Sequence, residues 1–158
     1  ESFDDNLRER DAYNQKALRN DNSETWKHLA KWYGMVETTI GAASETELIK
    51  NENLVAETLE SYLFANGFTD EIKLSIEQFH DWLRKNLILT KNLIPHNLVL
   101  KRVNNDIIIK IVDGLGSQAF IPLPDYSNFF AKRYVERRIE LMMSRIRWDL
   151  SGRVGNWK

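Results

Sequence analysis

The sequence predicts an α+β fold, on three observations. Two apolar runs rich in β-branched and leucine side chains, Leu98–Val103 and Ile107–Val112, flank a short polar turn at Asn104-Asn105-Asp106. Runs of that length and composition read as strands, and a turn that short joins them as an antiparallel hairpin. Upstream, Ile72, Ile76, Phe79, Leu83 and Leu87 recur at helical spacing, and downstream so do Val135, Ile139, Met142 and Ile146. Each set forms one apolar stripe on a helix. An apolar content of 42% with 28% charged residues supplies both a core and a soluble surface, and 158 residues suit one domain, or one lobe and part of another.

In chain order, Leu7–Leu18 reads as a moderately amphipathic helix. Ser23 is expected to cap a short helix through Trp26, Leu29, Ala30 and Tyr33, ended by Gly34. Met35–Ile40 reads as a strand and Glu47–Ile49 as a weaker second one, with the small residues Gly41-Ala42-Ala43-Ser44 as the loop between them. Val55, Leu59, Tyr62 and Leu63 lie at helical spacing, and Asn66-Gly67-Phe68 suits a left-handed C-terminal cap. The stronger helix follows: Thr69 as its cap, Asp70 and Glu71 complementing the positive N-terminal end, then the first stripe. Phe120-Ile121-Pro122-Leu123-Pro124 is unsuited to helix. Asp125 or Ser127 then caps a long helix to about Trp148, with Phe130, Tyr134 and Met143 beside its stripe. Gly152 and Gly155 predict a loose tail.

Asn97 stands just before the first strand of the hairpin and Asp113 just after the second, so the pairing brings an amide and a carboxylate together. The loop before them reads Thr90-Lys91-Asn92-Leu93-Ile94-Pro95-His96-Asn97, and the later motif reads Asp113-Gly114-Leu115-Gly116. This order resembles the catalytic centre of the protein-kinase-like fold, in which H-R-D-x-x-x-x-N leads through a hairpin into D-F-G. The resemblance implies that Asn97 and Asp113 are metal ligands and that they and Gly114 hold a Mg²⁺–ATP complex. Asn92 occupies the place of the catalytic Asp, and an amide cannot take a proton from a substrate hydroxyl. Ile94 stands where many kinases carry a Lys. The resemblance further implies a partial small lobe over residues 1–52 and a large lobe over 53–158. Glu9 then lies nearest the ion-pairing glutamate of the regulatory helix.

A closer resemblance runs over about residues 86–146. PHNLVL, the hairpin, and IVDGLGSQAFIPLPDYSNFFAKRYVERR resemble the YrbL family of PhoP regulatory network proteins. With the loop Asp replaced, this implies a regulatory pseudokinase that binds Mg²⁺–nucleotide and a regulatory protein partner. The first alternative is an active small-molecule or protein phosphotransferase whose phosphate-binding strands lie outside this chain. The sequence contains no glycine-rich phosphate loop and no strand lysine of the V-A-I-K kind, so the chain reads as a fragment.

A second alternative is a nucleic-acid-binding module using the basic C-terminal helix. Residues 125–158 carry eight Lys/Arg against four acids, while the whole chain has a net charge of −1. The expectation is a solvated helix face, with nucleic acid not a partner. There are no cysteines, which excludes disulfides and thiolate metal sites. No apolar run reaches membrane-spanning length and no signal-peptide pattern opens the chain, so a cytoplasmic protein is expected. His28, His80 and His96 lack metal-ligand spacing. His80 and His96 are expected to be structural rather than catalytic.

Overall fold

The helix from Asp70 to Asn86 is set by local chemistry at both ends. The Thr69 hydroxyl accepts from the Ile72 amide at 3.3 Å, acids fill the first turn, and Arg84 and Lys85 fill the last. Leu87 closes it in the left-handed region, at φ 53°, so the last residue of the predicted stripe serves as the C-terminal cap. In a computed structural model that describes residues 10–19, 22–39, 41–116, 124 and 127–157, the elements are α1 (Ser23–Trp26), β1 (Trp32–Thr38), β2 (Gly41–Thr46), β3 (Lys50–Asn51), β4 (Leu54–Val55), α2 (Leu59–Asn66), α3 (Asp70–Asn86), β5 (Leu98–Val103), β6 (Asp106–Ile111) and α4 (Asn128–Leu150). Short 3-10 turns lie at Lys16–Leu18 and Pro95–Asn97. The architecture is α+β, with three separate two-stranded antiparallel sheets among the described residues, β1–β2, β3–β4 and β5–β6.

The core lies where α3 crosses the β5–β6 hairpin and α4. Ile72, Phe79 and Leu83 from α3 meet Leu98, Leu100, Ile109 and Ile111 from the hairpin and Val135, Ile139, Met142 and Ile146 from α4. Both predicted helical stripes are therefore buried. The hairpin register runs from Leu98↔Ile111 through Leu100↔Ile109 to Val103↔Asp106, so the turn is Asn104-Asn105 alone and Asp106 belongs to the strand. Asn104 takes the left-handed conformation, φ 55°, that asparagine tolerates better than most residues.

The N-terminal third departs from its sequence expectations. Helix is present at residues 10–13 but does not continue to Leu18. The buried Gln15 side chain instead pairs with the Leu89 backbone, accepting its N–H at 2.8 Å and donating to its C=O at 3.3 Å. Asn22, not Ser23, caps α1, accepting the Glu24 amide at 2.9 Å. The helix stops at Trp26 because the chain is drawn onto the hairpin: Ile111 N–H donates to His28 C=O at 2.8 Å and Ala30 N–H to Ile111 C=O at 3.0 Å. Tyr33 and Gly34 fall in β1, and the register shift between Trp32 and Gly34 uses glycine's freedom at φ +120°. Gly41–Ser44 is strand rather than loop, because pairing with β1 overrides the weak β-propensity of small residues, and Glu47–Ile49 is irregular.

At the other end, Ser127 holds the cap position of α4 without a side-chain capping bond, and Asp125 lies outside the described residues. The tail is docked rather than loose. Arg153 bonds Glu60 at 2.7 Å and Asp149 at 3.0 Å, and the Trp148 indole donates to Gly155 C=O at 2.7 Å.

Two histidines are buried in the core. His28 Nδ1 lies 2.7 Å from the Ile109 carbonyl, which makes Nδ1 the protonated nitrogen of a neutral ring, and the ring packs on Phe79 and Trp82. His80 Nε2 is buried without a hydrogen-bond partner. Burial pulls both side chains down to about 4 from 6.5, with Lys27 and Lys110 adding to the effect at His28 and Arg84 at His80. Both rings are thus neutral in the fold, whereas the unfolded chain takes up protons below about pH 6.5. Stability is unaffected above that pH, falls as the pH drops, and reaches its full loss near pH 4. At pH 5 the loss is about 2 kcal/mol for each histidine. Urea unfolding is expected to show roughly 4 kcal/mol less stability at pH 5 than at pH 7, with His80→Leu removing about half of the difference. Equal stability at the two pH values would show these rings to be solvated.

Candidate functional site

The site is built at the open end of the β5–β6 hairpin, where the loop entering β5 and the turn leaving β6 are laced together. Pro95 starts the 3-10 turn, where its missing N–H costs nothing, and Asn97 N–H closes the turn on Ile94 C=O at 3.0 Å. The strand pairing continues past Ile111, since Val112 N–H donates to Asn97 C=O at 3.1 Å. Asn97 therefore stands opposite Val112 at the end of the ladder, and Asp113 is the next residue along.

The Asn97 side chain is buried, 7% exposed, and its Nδ2 donates to the Asn92 carbonyl at 3.0 Å. That bond fixes the amide's orientation. Among the described residues no protein donor is bonded to its Oδ1, which stays available as an oxygen ligand. Asp113 is exposed, and its Oδ1 accepts the Gly114 amide at 2.5 Å. The Gly114 carbonyl in turn accepts the amides of Lys91 at 2.7 Å and Asn92 at 3.2 Å. A Cβ added at Gly114 would stand 2.6 Å from the Asn92 carbonyl oxygen, and φ is +86°, so the position has neither room nor backbone tolerance for a side chain. Further along, Thr90 bridges Leu115 and Gly116 N–H donates to Leu89 C=O at 2.9 Å. From α4, the Tyr134 hydroxyl donates to Thr90 C=O at 3.0 Å.

Asp113 opens on a small cavity of about 10 Å³, lined also by Tyr13, Lys91, Gly114 and Leu115. Sequence reasoning passed over Tyr13 and Lys91. Lys91 carried the one available signal, a cation beside Asn92 in the loop, while nothing in the spacing tied Tyr13 to Asp113. Asn92 is exposed and lines a shallow cleft of about 40 Å³ with Lys91, Arg138 and Trp157. The structure thus places Asn97 and Asp113 on the two chains at the open end of the hairpin, and ties Asn92 by its backbone to Asn97 and Gly114. Glu9 lies outside the described residues. His96 is exposed, its Nδ1 3.4 Å from Glu60.

Among the described residues no group of three or more His, Cys, Asp or Glu side chains could hold a metal. Asn97 and Asp113 offer two oxygen ligands, a donor set that fits Mg²⁺, which commonly takes few protein ligands and completes its octahedron with water and phosphate. No helix among the described residues is long and apolar enough to cross a membrane.

The family model described as PhoP regulatory network protein YrbL matches residues 1–147. The chain belongs to the YrbL family. It is 26% identical over 117 residues to the uncharacterised YrbL proteins of Escherichia coli K12 and Shigella flexneri, covering 71% of this chain and 56% of each relative. The chain thus spans a little over half the length of these curated YrbL proteins. The family match extends far upstream of the 86–146 stretch that first suggested it, and takes in the segments packed against the hairpin.

For this YrbL chain, Gly114→Ala is expected to cost about 2–4 kcal/mol, from the left-handed backbone and the clash with Asn92 together. Asp113→Ala, at an exposed position, should stay within about 0.5 kcal/mol of wild type. Denaturant titration distinguishes the two, and a Gly114→Ala variant as stable as wild type would show the loop and turn to be apart in solution.

Proposed function

We propose that this YrbL chain is part of a kinase-like regulatory pseudokinase that binds a Mg²⁺–nucleotide through Asn97 and Asp113. Residues 1–52 then belong to a small lobe and 53–158 to a large one. The observation that carries the reading is the oriented amide: Nδ2 of Asn97 is spent on the Asn92 carbonyl, which leaves Oδ1 as the atom that would face a metal shared with Asp113. In that role Asn97 and Asp113 position the cation against phosphate oxygens, and Lys91, lining the same cavity as Asp113, adds positive charge near the phosphates.

Regulation is favoured over phosphoryl transfer because the loop carboxylate is replaced by Asn92. An amide in that place positions a hydroxyl by hydrogen bonding but cannot accept its proton. The nucleic-acid alternative is weakened by how the basic side chains of the C-terminal region are used. Arg145 and Arg153 are bonded to Glu60 and Asp149, with Arg138 on the Tyr134 hydroxyl.

Isothermal titration of the full-length protein with Mg·ATP is expected to give a Kd on the order of 10–100 µM. Asn97→Leu and Asp113→Ala should each weaken it at least about tenfold, with no phosphate transferred to protein or water. Absence of heat with wild type, or unchanged heat with Asp113→Ala, overturns the reading.

A further inference from the structure

A cleft of about 340 Å³ lies between α1, β1 and β6, lined by Ser23, Trp26, Leu29, Lys31, Trp32, Glu47 and Lys110. Its walls are planar and held in place. Tyr13 stacks on both indoles, at 6.2 Å and 3° from Trp26 and at 5.5 Å and 8° from Trp32. The Trp32 indole N–H is fixed by the Ser44 hydroxyl at 2.9 Å. Leu29 is buried in the main core. Both tryptophans are nevertheless only half-buried, so each ring keeps an edge or face at the cleft.

The polar groups at the cleft are few and of unequal sign. In β6 the side chains of Ile107, Ile109 and Ile111 enter the core, which puts Lys110 on the opposite face. Its ammonium donates to Leu29 C=O at 2.9 Å, which leaves two of its three N–H groups without an acceptor among the described residues. Burial of this ammonium lowers its pKa, an effect that Glu47 opposes and Lys101 reinforces. Lys31 adds a second positive charge. The single acid, Glu47, is already accepting the Lys31 backbone amide at 3.1 Å. The indole N–H of Trp26 is buried without an acceptor among the described residues.

The cleft volume is at the lower end of small-molecule sites, and aromatic walls with a few convergent polar groups are their usual make-up. A bicyclic aromatic ring matches the volume and the walls. One negative charge matches the two lysines set against one carboxylate. We propose that this cleft is a binding site for a small aromatic monoanion, its ring on Trp26 and Trp32 and its acid group on Lys110. This site is independent of the nucleotide reading, since it shares no lining residue with the Asp113 cavity.

The test is NMR titration of the full chain, following the indole N–H signals of Trp26 and Trp32, with indole-3-acetate and its uncharged isostere indole-3-acetamide. The acid is expected to saturate with a Kd on the order of 1 mM or tighter and to bind about fivefold more tightly than the amide. Lys110→Met should abolish that preference. Glu47→Gln should strengthen acid binding about threefold by removing the competing charge, an improvement that a damaged fold cannot produce. No saturation up to about 10 mM, equal affinity for acid and amide, or Glu47→Gln leaving acid binding unchanged or weaker overturns the proposal.

Discussion

The Leu98↔Ile111 pair, where the β5–β6 ladder meets the core, is the contact on which the rest of the structure depends. Ile111 is paired on both sides. Its own strand partner lies one way, and the His28–Ala30 segment lies the other, bonded to both its N–H and its C=O. One residue thus joins the hairpin to the N-terminal third of the chain while its side chain sits in the main core. Just beyond it, Val112 holds Asn97 by the backbone, so the geometry of the site follows from the hairpin's register. A slip of one residue would turn every side chain of β6 over and part the amide from the carboxylate.

Around that ladder, backbone hydrogen bonds do most of the positioning. Loop 89–92 is held to turn 114–116 through main-chain groups, with Gly114 present because the Asn92 carbonyl comes too close for any side chain. Such a site tolerates change at Asn92 and Asp113 as far as folding is concerned. It is unforgiving at Gly114.

The charge distribution has a structural explanation as well. Asp149 is 2% exposed and receives both Arg145, at 3.1 Å, and Arg153, at 3.0 Å. Glu60 from α2 receives the same two arginines. Four charges in one network tie α2, α4 and the tail together. Guanidinium groups suit this use because their donors are planar and fixed in direction. Arg145 and Arg153 also lie over the Trp148 ring, which extends the network into a stacked array. Two of the eight basic side chains of residues 125–158 are thus committed to acids, one of them in α2.

What the residues alone determined is whatever rests on local periodicity: the two amphipathic helices, the Thr69 cap, and the hairpin that Asn97 and Asp113 flank. Those patterns are legible because burial of one face dictates the spacing of apolar residues. The extent of α1, the pairing of Gly41–Ser44 as strand, the docked tail, and the places of Tyr13 and Lys91 were decided only by tertiary structure. Each depends on a partner remote in sequence: Ile111 for the segment after Trp26, Arg153 for Glu60, the stacked indoles for Tyr13. A short segment of weak propensity takes the conformation its long-range hydrogen bonds impose, and no local spacing records which bonds those will be.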